Sequence, residues 1–188
     1  SGSGDTAESG SVDGDTSGAD PDLRSATFTG VIATVAQNPL GLGEESRGAA
    51  AVATLTWDLS VADSDAGDPE RGSYEHRGTS GLIVELAGHV IAGSGSAAVE
   101  TYAGTGVSFG MDDGANLMAD PHPLMFVDGV ADESMGLFFA IVDPNGIALA
   151  NDSLPETLSS FDPVEHPHTF SLEGAGGTLL LQFNAVSP

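Results

Sequence analysis

Hydrophobic and polar residues alternate along most of the chain. In "AVATLTWDLSV", residues 51–61, Ala51, Ala53, Leu55, Trp57, Leu59 and Val61 fall on one side, and Val52, Thr54, Thr56, Asp58 and Ser60 on the other. A period of two is the mark of a strand with one buried face. Near the carboxyl end, "TLLLQFNAV" repeats it with Leu179, Leu181, Phe183 and Ala185 on a common face. "TFTGVIATVA" is rich in β-branched residues, with Phe28 and Ile32 on one face and Val31 and Val35 on the other. Further strands are expected at "GLIVELAG", "HVIAG", "AAVETYA", "GVSFG", "PLMFVDG", "MGLFFAIV", "GIALA" and "HTFSLE". "MGLFFAIV" is apolar on both faces and belongs in the middle of a sheet, because such a run at an edge invites aggregation.

Clusters of Gly, Pro, Asn and Asp separate these runs, and short strands so punctuated indicate an all-β domain. "DPNG", residues 143–146, is the strongest hairpin signal, with Pro144 fixing one backbone angle and Gly146 free to take a positive one. Twenty-six glycines and ten prolines disfavour long helices, and only "LPETLSSF" has room for a helical turn, begun by Pro155. The expected fold is an antiparallel β-sandwich of jelly-roll or immunoglobulin-like type over residues 25–188. Residues 1–24 hold Gly, Ser, Asp and Thr without apolar periodicity, and form an acidic arm that should not fold alone.

Charge narrows the partners. The 188 residues carry 28 acids against four basic residues, all arginine, for a formal net charge of −24. Nucleic acid and anionic lipid are repelled by such a surface. The composition suits a saline or calcium-containing exterior, or the need to stay soluble. With no cysteine, there is neither a disulfide frame nor thiolate chemistry. The longest apolar run, residues 135–142, is too short to span a bilayer. A first residue other than methionine suits a secreted chain whose signal peptide has been removed, or a chain otherwise trimmed.

The order "ATFTGVIATVAQNPLGLG", "ATLTWDLSVADSD", "GSYEHRG", "LIVELAGHVIAG", "SLPETLSSFD" and "TFSLEGAGGTLLLQFNAV" resembles the bacterial surface proteins sorted by the exosortase system, the PEP-CTERM type, over residues 25–188. The family's Pro-Glu-Pro sorting signal, apolar helix and basic tail are not among these residues. The resemblance implies a secreted β-sandwich with a matrix or cell-surface role, and no catalytic residues to carry over.

The candidate chemistry is carboxylate-rich. Asp63, Asp65, Asp68 and Glu70 fall within eight residues of one loop; such a group repels itself unless it is exposed or bridged by a cation. Calcium tolerates irregular oxygen cages of this kind, whereas magnesium demands a stricter octahedron. Asp13, Asp15 and Ser17 with Gly18 match the first half of a calcium loop, but Arg24 stands where a bidentate glutamate should close it. Asp112, Asp113 and Asp120 form a weaker group. Calcium is the expected cation, with Asp63, Asp65, Asp68, Glu70, Asp13 and Asp15 as its ligands.

Other patterns have plainer readings. Residues 106–110 fit the G-x-S-x-G nucleophile pattern around Ser108, but no helix follows, so an ordinary strand is expected. The sequence "LPET" resembles a sortase signal with Leu158 in place of the needed glycine. His76, His89, His122, His166 and His168 lack the helical spacing of zinc ligands. Asn151 opens a glycosylation sequon. Trp57, Tyr74 and Tyr102 would make a sugar platform only if exposed, and Trp57 falls on the buried face. The expectation is a non-enzymatic, extracellular structural protein that self-associates into filaments by strand pairing and calcium, with residues 25–36 lending a strand to a neighbour's sheet edge. A carbohydrate- or ligand-binding module, with an extracellular polysaccharide as partner, is the alternative.

Overall fold

The computed structural model describes residues 22–35, 37–77, 81–94, 96–102, 106–111, 124–132, 134–142, 153–158, 168–174 and 176–187. The strands are β1 (Leu23–Thr34), β2 (Ala50–Asp58), β3 (Arg71–Arg77), β4 (Gly81–Leu86), β5 (His89–Ser94), β6 (Ser96–Tyr102) and β7 (Gly106–Met111). They continue with β8 (Leu124–Val127), β9 (Val130–Ala131), β10 (Gly136–Val142), β11 (His168–Gly174) and β12 (Gly177–Ser187). Among the described residues the only helix is a three-residue 3-10 turn, Glu44–Ser46, and no helix is long and apolar enough to cross a membrane.

All twelve strands join one sheet in the order β3-β6-β7-β10-β11-β12-β1-β2-β4-β5-β8-β9, and every pairing is antiparallel. The all-β, antiparallel expectation holds. The sheet is continuous and curls as a half-barrel, so a two-layer sandwich is not confirmed. The curl is measurable in the core. β10 and β1 stand three strand spacings apart, about 14 Å on a flat sheet, yet the rings of Phe139 and Phe28 lie 4.6 Å apart. Phe183 on β12 meets both, at 5.9 and 6.0 Å, and Phe170 at 6.2 Å. Tilted and edge-on contacts of this kind suit the ring quadrupole. The sheet bends round its own apolar face.

Alternation sets which residues line that inner face. Ala51, Ala53, Leu55 and Trp57 of β2 are buried, as are Leu82, Val84 and Leu86 of β4 and Leu179, Leu181 and Phe183 of β12. Leu59 and Val61 only pack partly against the core, because β2 ends at Asp58 and the chain turns there, with Val61 N–H donating to the Asp58 carbonyl. β10 is central, between β7 and β11, as the doubly apolar run requires.

Two departures from strict alternation have one cause. The β1–β12 ladder shifts register between Thr29 and Gly30 and again between Ile32 and Thr34. A bulge inserts one residue and flips the parity beyond it. Ala185, expected inside, is therefore exposed, and Val35, expected on the face opposite Ile32, is buried. At the first bulge the backbones nearly touch. A Cβ on Gly30 would lie 2.1 Å from the Gln182 carbonyl oxygen.

Turns follow the same local rules. β4–β5 and β8–β9 are two-residue hairpins whose turn residues all have positive φ: Ala87 48° and Gly88 87°, Asp128 52° and Gly129 81°. This is the type I′ geometry that matches strand twist. The expected turn at 143–146 and strand at 146–150 lie outside the described residues. The polar strand β3 is an addition to the strands that alternation predicts.

Two expectations are corrected. Residues 153–158 contain bends and no helix; they form a strap, with Leu158 fully buried and the Trp57 indole N–H donating to the Pro155 carbonyl at 2.8 Å. β1 is also no free strand for a neighbour. Residues 27–31 are paired on both sides, with β12 and with β2, so the middle of the strand has no edge left to lend.

Candidate functional site

The end of the molecule where β1 begins is built from carboxylates acting on backbone. Asp58 is buried, and its Oδ1 accepts bonds from Asp22 N–H at 2.9 Å, Ser60 N–H at 2.9 Å and Ser60 Oγ–H at 2.7 Å. Leu59 N–H returns to the Asp22 carbonyl at 3.0 Å. Three donors satisfy an anion that burial would otherwise penalise. The clip fixes where the chain enters the sheet, and Asp22 is paired in addition with Arg24.

The acidic loop follows at once. Asp63 Oδ1 accepts Asp65 N–H at 2.9 Å and, across to β3, Ser73 N–H at 2.8 Å. Ser64 closes the same rung, donating its N–H and Oγ–H to the Ser73 carbonyl at 2.8 and 3.0 Å. Asp68 Oδ1 accepts Glu70 N–H at 2.9 Å, and Asp68 N–H donates to the Asp65 carbonyl. Asp63, half-buried, and the exposed Asp65, Asp68 and Glu70 are therefore neighbours on one hydrogen-bonded loop, Asp63 and Asp68 turned onto local backbone as Asx turns. Among the described residues no group of three or more His, Asp or Glu side chains comes together as a metal site. Asp13 and Asp15 lie outside the described residues, as do Asp112, Asp113, Asp120, His122, Asn151 and His166.

At the other end a second polar group joins two hairpin turns. His89 Nδ1 lies 2.8 Å from Asp128 Oδ2, while Asp128 Oδ1 accepts Val90 N–H at 2.8 Å and Asp128 N–H donates to the Val90 carbonyl at 2.8 Å. The Val90 N–H bond, with the His89 contact second, holds the Asp128 carboxyl below its ordinary range. Asp132 is lowered likewise by the hydroxyl and backbone N–H of Ser134. Beside this pair an open, shallow depression of about 380 Å³ is lined by Ala50, Val52, Glu85, Leu86 and the β4–β5 turn. An Asp-Gly pair is itself a turn signal, but the meeting of His89 with Asp128 needs the long-range β5–β8 pairing.

The remaining candidates take plain places. Ser108 lies mid-strand in β7, opposite Ala140 and Glu100, with none of the strand-to-helix turn of a nucleophile elbow. His76 and His168 lie on β3 and β11. Trp57 and Tyr74 are buried, 0% and 6% exposed, so neither offers a sugar-stacking face. The chain matches no protein-family model, no curated protein and no solved structure.

Proposed function

We propose that this chain is an extracellular structural protein, a surface or matrix subunit that self-associates through the ends of its sheet. The observation that carries the reading is the open sheet. Among the described residues β3 and β9 each have a single strand partner, and unpaired strand edges are templates for another chain. The curled sheet with its aromatic interior supplies a rigid body, in the sandwich-like manner expected of secreted β-domains. The acidity supports a saline or cation-rich exterior, where screening lets copies with a formal charge of −24 approach one another.

Calcium belongs to this proposal as a bridging counter-ion between acidic loops, centred on Asp63, Asp65, Asp68 and Glu70, and on Asp13 and Asp15 of the arm. The intrachain bonds of residues 63–70 lower the ordering cost of holding such an ion. The test is light scattering and electron microscopy of the purified chain, in dilute buffer and in molar sodium chloride, with and without millimolar calcium. Concentration-dependent oligomers or filaments are expected in salt or calcium. A monomer at every concentration in both would overturn the reading.

A further inference from the structure

Two of the chain's four arginines, Arg71 and Arg77, lie on β3, with Glu75 as that strand's one acid. In a chain so negative, this is the one of the two edge strands with an excess of basic residues. Among the described residues its backbone is also open on one side. In an antiparallel ladder, alternate residues turn both backbone groups toward the same side. Ser73 turns away from β6, since its N–H goes to Asp63 Oδ1 and its carbonyl receives Ser64 N–H. By the same alternation Glu75 and Arg77 direct their N–H and carbonyl groups outward. The acidic loop ends the open stretch at Ser73, and no described strand lies beyond Glu75 and Arg77.

We propose that this edge pairs antiparallel with β3 of a second copy, about a two-fold axis at His76. The inference rests on the self-association reading above and names its surface. Charge selects the register. Hydrogen-bonded rungs must join outward-facing residues, which leaves few choices. An axis at Glu75 sets the two glutamates opposite each other and asks for Ser73, already satisfied by its own loop. An axis at Arg77 sets arginine opposite arginine. The axis at His76 places Glu75 opposite Arg77 of the second copy, twice by symmetry, and opposite charges at facing positions stabilise a sheet while like charges destabilise it. The contact is isologous and closes as a dimer. A filament would need a second contact, for which β9 is the other open end.

The test uses the full chain in about 1 M sodium chloride, where the screening length falls to about 3 Å. Glu75→Arg and Arg77→Glu each create two like-charge rungs and should weaken the dimer about tenfold or more by analytical ultracentrifugation. The double swap restores opposite charges and should recover the wild-type affinity, with circular dichroism confirming that all variants fold. Because the chain has no cysteine, His76→Cys supplies a single thiol. At a non-hydrogen-bonded pair the two Cα atoms stand about 4.5 Å apart, within disulfide reach, so mild oxidation should give a covalent dimer. Val130→Cys, on the exposed β9, should not. If the wild type associates but the charge variants do so equally, or Val130→Cys cross-links in place of His76→Cys, the β3 contact is overturned while self-association stands. If the wild type is monomeric throughout, both fall together.

Discussion

Trp57 offers the sharpest test of how the core is closed. It is the one tryptophan in the chain, fully buried on β2, and its indole N–H reaches the Pro155 carbonyl 98 residues away in sequence. Trp57→Ala removes a large buried side chain and leaves a cavity, at a cost of about 3–5 kcal/mol. For a chain of this length each kcal/mol moves the melting temperature by about 2–4 °C, so a fall of about 6–20 °C is expected. Trp57→Phe separates the two contributions. It keeps much of the apolar volume and loses the hydrogen bond, leaving a carbonyl unsatisfied at about 1–3 kcal/mol. Urea unfolding followed by far-ultraviolet circular dichroism measures both, since the fluorophore itself is removed. Proteolysis adds a readout that bulk stability lacks: with its anchor gone, the strap at residues 153–158 should be cut faster than the wild type in both variants. A near-neutral Trp57→Ala would refute the burial, and unchanged strap cleavage would refute the anchoring.

Gly30→Ala should destabilise by more than the about 1–3 kcal/mol typical of an overpacked site, because the added Cβ meets the Gln182 carbonyl at 2.1 Å; a folded variant of wild-type urea midpoint would contradict the close approach. Asp128 has its folded pKa lowered, so its contribution is fully present above the unfolded value near about 3.9 and is lost as pH falls through the folded value. Asp128→Asn should therefore flatten the acid limb of the stability–pH curve below about pH 4, and an unaltered limb would count against the Val90 and His89 bonds. Millimolar calcium should raise the melting temperature more than equal magnesium, with Asp65→Asn and Asp68→Asn together removing most of that gain; equal responses to both ions would mean diffuse screening.

Local chemistry was enough to define much of this chain. Residues 51–57 and 179–183 announce their buried faces because side-chain direction alternates strictly along a strand. The doubly apolar "MGLFFAIV" marks an interior strand, since its exposure at an edge would be costly. Strand type, inner face and the acidic loop were thus legible from neighbours in sequence. Non-local pairing decided the rest. Whether twelve strands form two layers or one curled sheet depends on which edges meet, and hydrophobic alternation is the same in either case. The bulges that expose Ala185 and bury Val35 arise where β1 and β12 must stay in register round a bend. β3 escaped notice because "RGSYEHR" lacks an apolar face beyond Gly72 and Tyr74; it becomes a strand by pairing with β6. The largest revision was β1. Its apolar residues on both faces suit a donated strand and an interior strand equally well, and only β12 and β2 on either side show that its backbone is already engaged across residues 27–31.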